Sequence, residues 1–187
     1  MVGDRGDCTV MALSTIPNNM QAAVTTAEMP AGTTIQTVQY VKTDLYSSAS
    51  TTFVTTGLEV TITPQFANSK ILITGLINVS GNGHFDLRLV RDGVGNEVML
   101  GDASGSQTRS TYHAYRTTDY NDGYSADGVP MNYLDSPGTT SATTYKIFAA
   151  NPHSGSYNVS INFQYNNSAS NWSGRTASSL TAQEIKQ

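Results

Sequence analysis

An all-β, antiparallel sandwich is the fold this sequence predicts. Three observations carry that expectation. Apolar and polar residues alternate with a period of two from Thr33 onward, turn signals separate the alternating runs at short intervals, and no run has a convincing long helical period. Leu58, Val60 and Ile62 alternate with Glu59, Thr61 and Thr63, and Phe85, Leu87 and Leu89 alternate with His84, Asp86 and Arg88. In Tyr157-Asn-Val-Ser-Ile-Asn-Phe-Gln-Tyr165 every apolar side chain falls on one parity and every amide or hydroxyl on the other, which predicts a strand with one wet face.

The elements follow in chain order. Residues 1 to 32 stand apart, because they hold Met1, Met11, Met20 and Met29 and small residues without sheet alternation, and Pro30-Ala31-Gly32 closes them. A short helix over Thr15 to Ala27 has only a thin apolar face. Ordering such a segment costs about 1–2 kcal/mol per residue in backbone entropy, so it is expected to lie against a partner as an attachment arm. Ile16, Met20, Val24 and Met29 are its candidate contacts, and an arm folded back on its own domain is the alternative.

Residues 33–187 then form the sandwich, with strands expected near 33–42, 51–63, 70–79, 84–91, 96–102, 109–117, 129–135, 143–150, 157–165 and 178–186. Thr56-Gly57, Pro64 to Asn68, Gly81-Asn82-Gly83, Asp92-Gly93, Asp122-Gly123, Asp135-Ser-Pro137-Gly138 and Asn151-Pro152 supply the turns. Strands at this spacing read as a jelly-roll-like sandwich. Lys70-Ile-Leu-Ile-Thr-Gly-Leu-Ile-Asn-Val79 is apolar on both parities and is expected to be a central strand covered on both faces. The second cover is a subunit interface, with Tyr40, Leu72 and Leu76 as its candidates.

Composition excludes several functions. With 10 Lys+Arg, 14 Asp+Glu and a net charge of −4, nothing here neutralises a run of phosphates, so nucleic acid is not an expected partner. Ser and Thr make up roughly a quarter of the chain, a hydroxyl-rich surface suited to work outside the cell. No apolar run reaches the length needed to span a bilayer, and the start lacks a basic stretch followed by an apolar one, so no membrane association and synthesis without an export signal are expected. Cys8 is the single cysteine, which leaves no intrachain disulfide and no paired-cysteine metal site.

Three stretches resemble short jelly-roll-like virion structural proteins and fibre domains of tailed phages, marine and cyanobacterial ones above all. They are Met11-Ala-Leu-Ser-Thr-Ile-Pro-Asn-Asn-Met20 leading into Pro30-Ala-Gly-Thr-Thr-Ile-Gln36; Thr55-Thr-Gly-Leu-Glu-Val-Thr-Ile-Thr-Pro64 with Asn68-Ser-Lys-Ile-Leu-Ile73; and Leu87-Arg-Leu-Val-Arg-Asp92 with Leu134-Asp-Ser-Pro137 and Thr143-Thr-Tyr-Lys146. The resemblance implies a homotrimer similar to complement C1q and tumour-necrosis-factor heads, borne on a capsid or tail, contacting other virion proteins and held by its N-terminal segment. Met11 resembles the usual start of such proteins. A capsid decoration or cement protein is the expected role, with a tail-fibre or receptor-binding module as the alternative.

Chemistry-bearing groups are few. Tyr112, Tyr115, Tyr120, Tyr124 and Tyr133 cluster, and planar rings with polar tips suit a host surface glycan or receptor; ring packing between loops or across subunits is the competing expectation. Residues 119–127 place oxygen ligands at alternate positions, but Gly123 takes a ligand position and Pro130 stands where a calcium loop needs its bidentate Glu. His84, His113 and His153 are scattered in sequence, and only His84 and Asp86 share a strand face. No G-x-S-x-G is present, and Glu59 with Glu97 is a thin basis for a glycosidase pair, so no enzyme and no cofactor are expected. Arg5-Gly6-Asp7 and the Asn-x-Ser triplets at Asn78, Asn158, Asn166 and Asn171 are what an Asn- and Ser-rich composition generates by chance.

Overall fold

The computed structural model describes residues 25–93, 95–116, 125–164, 169, 171 and 173–187. Ile16, Met20, Val24, Tyr120 and Tyr124 therefore lie outside the described residues, as does most of the 119–127 loop. The described strands are β1 (Thr34–Lys42), β2 (Tyr46–Ser48), β3 (Val54–Ile62), β4 (Lys70–Gly81), β5 (Gly83–Arg91), β6 (Glu97–Val98), β7 (Tyr112–Arg116), β8 (Asp127–Asp135), β9 (Thr143–Ala150), β10 (Val159–Ile161) and β11 (Ser178–Ile185). All pairings among them are antiparallel.

They form two sheets. In sheet A, β8 flanks one side of β4, while β11 and then β10 flank the other, followed by β1 and β2. In sheet B the order is β3, β9, β5, with β6 and β7 sharing the far side of β5. The pairs β1·β11, β3·β9, β4·β8 and β5·β7 nest from the chain ends towards its middle. This nested pairing of two antiparallel sheets makes a β-sandwich, and its order is compatible with a jelly roll.

Alternation explains the core. Leu58, Val60 and Ile62 on β3, Ile71, Ile73 and Ile77 on β4, Phe85, Leu87 and Leu89 on β5, and Ile147 on β9 are buried between the sheets. Each such side chain contributes about 1.5–3 kcal/mol when removed from water. The expected strand at 96–102 contracts to β6, because Met99 takes a φ of 56°, a left-handed conformation that a strand does not continue through.

The expected strand 157–165 is also shorter, ending at Ile161 before Asn162, whose φ is 69°. Its polar parity is not wet. Ser160 and Asn162 are buried, and Asn162 Nδ2 donates to the carbonyls of Lys42 (2.8 Å) and Asp44 (3.0 Å) while its Oδ1 accepts from Ser178 Oγ (2.6 Å). A buried amide can stand where water was expected because every polar atom of it is paired.

The end of the arm belongs to the sandwich. Gly32 donates its N–H to the Lys186 carbonyl (2.7 Å), Lys186 N–H bonds back to Thr33 (3.0 Å), and the Lys186 ammonium caps the carbonyls of Thr26 and Ala27. Met29, half-buried, sits in this pinned turn.

Glu184 ties β11 to the loop after β3. Its carboxylate, fully buried, accepts from Gln65 N–H (2.8 Å), Phe66 N–H (3.1 Å) and Gln36 Nε2 (2.7 Å). Burial pushes its pKa up, but the hydrogen bonds from Gln36, Gln65 and Phe66 outweigh that and hold it below the ordinary glutamate value. A depressed folded-state pKa contributes stability that is complete above the unfolded-state value and lost as pH falls through the folded one. Glu184→Gln is therefore expected to flatten the acid side of the stability profile, measured as urea midpoints from neutral pH down to the acid limit.

Candidate functional site

Two outward faces carry groups that a self-contained sandwich does not need. The first lies on sheet A. With Ile71, Ile73, Ile77 and Val79 of β4 directed inward, Leu72, Thr74, Leu76 and Asn78 must point out. The register then builds rows across β1, β11, β4 and β8. Val41, Ser179, Leu76 and Pro130 form one row; Gln39, Thr181, Thr74 and Asn132 the next; Thr37, Gln183, Leu72 and Leu134 the third. None of these residues is charged.

Exposure marks the face as unfinished. Val41 is 49%, Leu76 45% and Leu134 48% exposed, and Leu72 is half-buried. The amides between them are already satisfied, since Gln39 Nε2 donates to Thr181 Oγ1 (2.9 Å) and Gln183 Nε2 to Thr37 Oγ1 (3.2 Å). Covering this face strands few polar groups, so its desolvation costs little. The structure brings Leu72 and Leu76 together here and adds Val41 and Leu134, whose signal in the sequence is an apolar residue on the polar parity.

Tyr40 does not join them. It pairs with the buried Leu180, so it points to the inner side and lines a cleft of about 430 Å³ at the open edge between β1 and β3. The sequence places Tyr40 beside other apolar groups; only the β1·β11 register decides which face it takes.

The second face lies on sheet B. His84 and Asp86 point outward from β5, and the register sets Asp86 opposite His113 and His84 opposite Tyr115 on β7. The loop after β9 brings His153 over the same spot. Ring centroids of His113, Tyr115 and His153 lie 5.6, 4.6 and 4.9 Å from that of His84. His113 Nδ1 donates to Asp86 Oδ1 (3.1 Å), with the Asp86 side chain fully covered and that of His113 53% exposed. Asp86 Oδ2 is buried without a hydrogen-bond partner among the described residues.

A hollow of about 480 Å³ opens over these groups, lined by His84, Asp86, Gln107, Thr108, His113, Pro152 and His153. A second of about 250 Å³ adjoins it through His84 and His153 and adds Gly83, Tyr115 and Tyr157. Three histidines scattered in sequence thus meet at one place. Among the described residues, no three His, Cys, Asp or Glu side chains are arranged to hold a metal ion.

Of the tyrosine cluster, Tyr115 is 60% exposed, whereas Tyr112 pairs with Leu87, turns inward towards Phe85 and is half-buried. Burial, with Asp127 nearby, raises the Tyr112 pKa. Asp127 is itself held by Arg116. Glu59 and Glu97 sit on β3 and β6, with β9 and β5 between, and pair with Lys146 (3.2 Å) and Arg88 (3.4 Å). Three strand spacings, about 14 Å, separate the two backbones, and each carboxylate is engaged by its own neighbouring cation.

No family model matches the sequence, and no curated protein matches it. Among solved structures the chain is similar to one in the structure of infectious bursal disease virus Gt strain, at 10% identity and a TM-score of 0.36. It is also similar to one from the Gx strain, at 16% identity and a TM-score of 0.31. Each match covers 83% of this chain and 39% of the viral one, so the chain spans well under half the length of those it matches.

Proposed function

We propose that this chain is a virion structural protein of a tailed phage, a capsid decoration or cement protein that assembles as a homotrimer through the outer face of sheet A. The N-terminal arm anchors it to other virion proteins, and its work is association rather than catalysis. The observation that supports this reading is the uncharged face holding Val41, Leu72, Leu76 and Leu134. Copies with a net charge of −4 repel one another over most of their surface, and an uncharged, amide-satisfied face is where they meet without like-charge contact. A lasting assembly of this kind buries about 800 Å² per partner.

Light scattering of the purified protein is expected to give three times the chain mass, and Leu76→Asp with Leu134→Asp is expected to give a single-chain mass with the β-sheet circular-dichroism spectrum retained. Deleting residues 1–24, which spares the turn pinned to Lys186, is expected to leave a trimer that no longer co-sediments with phage particles. A single-chain mass for the unaltered protein, or full particle binding by the truncated one, overturns the respective half of the reading.

A further inference from the structure

We infer that the double hollow over β5 and β7 is a binding site for a neutral saccharide. The rings of His113, Tyr115 and His153 gather around that of His84, each centroid within 6 Å of the His84 centroid, and the ring faces that line the hollows suit the C–H face of a sugar. Hydrogen-bonding groups stand at the edges of those faces. The bond between His113 Nδ1 and Asp86 Oδ1 fixes this half-exposed ring in orientation and leaves Nε2 as its remaining polar atom. Asp86 Oδ2, fully buried in the wall and unpartnered among the described residues, is an acceptor awaiting a hydroxyl donor. Gln107 and Thr108 supply further donors and acceptors on the rim.

The walls are built rather than incidental. The loop that carries His153 and Tyr157 is clamped to the β4–β5 turn by buried amides: Asn151 Nδ2 donates to the Asn82 carbonyl (3.2 Å), and Asn82 Oδ1 accepts from Asn158 N–H (3.0 Å). Gly83 has a φ of 66°, and a Cβ there would stand 2.4 Å from the Tyr157 ring, so glycine is what lets Tyr157 close the far wall. A site held open in this way loses little entropy when it binds. The chemistry excludes the competing ligand classes. The Asp86 carboxylate beneath the rings opposes phosphate, sulfate and sialic acid, and the described side chains are not arranged for a divalent metal.

The site lies on the opposite sheet from the assembly face and does not rest on the trimer reading. The full-length protein, applied to an array of neutral and acidic glycans, is expected to bind one or more neutral glycans, and the best of them, titrated in solution, is expected to shift the imidazole C–H signals of all three histidines saturably. Tyr115→Ala, at an exposed position that leaves folding intact, is expected to weaken that binding roughly tenfold, and Asp86→Asn by a similar factor. The inference is overturned by no array binding, by binding confined to acidic glycans, by imidazole shifts produced only by zinc chloride or inorganic phosphate, or by full affinity in Tyr115→Ala.

Discussion

Asp135→Ala is expected to destabilise the sandwich by about 3–5 kcal/mol. Asp135 ends β8 in sheet A, yet its Oδ2 accepts from Arg91 Nη1 on β5 (2.8 Å) and from the Tyr145 hydroxyl on β9 (2.7 Å), both in sheet B. This carboxylate therefore joins the two layers at one end. Tyr145 is fully buried and Asp135 nearly so. Burial first, and then the bond to Asp135, raise the Tyr145 pKa far above the ordinary phenol range, so the hydroxyl keeps its proton and stays a donor. Alanine leaves that donor and a half-buried guanidinium without their shared acceptor. Asp135→Asn keeps the shape and an acceptor for Tyr145, and its expected loss is smaller. Urea unfolding of both variants measures the difference, and a change below about 1 kcal/mol in Asp135→Ala would show that the tie contributes no more than an average hydrogen bond.

Gly75→Ala is expected to cost at least the 1–3 kcal/mol typical of overpacking, about 3 kcal/mol or more, because the obstacle is backbone. Gly75 lies in the middle of β4, between Leu180 on β11 and Met131 on β8. A Cβ there would stand 2.3 Å from the Ser179 carbonyl oxygen and 2.9 Å from Leu180 Cδ2. Relief requires β11 to move, and β11 is bonded on its other side to β1. Gly101→Ala is the matched control, since a Cβ at that position meets nothing within 4 Å; its expected change is within about 0.5 kcal/mol. Equal unfolding midpoints for the two variants would refute the crowding at Gly75.

Strand positions were legible wherever alternation was long. The expected 33–42, 143–150 and 178–186 match β1, β9 and β11 to within a residue or so, because burial on one face of a strand imposes its period directly on the chain. The double-sided run at Lys70–Val79 is likewise central, with β8 on one side and β11 on the other. Misses fell where a single backbone angle or a buried polar contact intervened. Met99 and Asn162 end their strands by left-handed φ values that no periodicity encodes, and β2 is a three-residue strand whose pairing with β10 depends on a partner more than 100 residues away.

The surfaces divide the same way. From the order of residues alone come the all-β class and the surplus of apolar groups on Leu72 and Leu76, since these are properties of composition and local period. Tertiary structure decided that Tyr40 turns inward while Val41 and Leu134 join the outer face, and that His84, His113 and His153 meet above Asp86. Those outcomes depend on register between strands far apart in the chain, and one step of register carries a side chain to the opposite face.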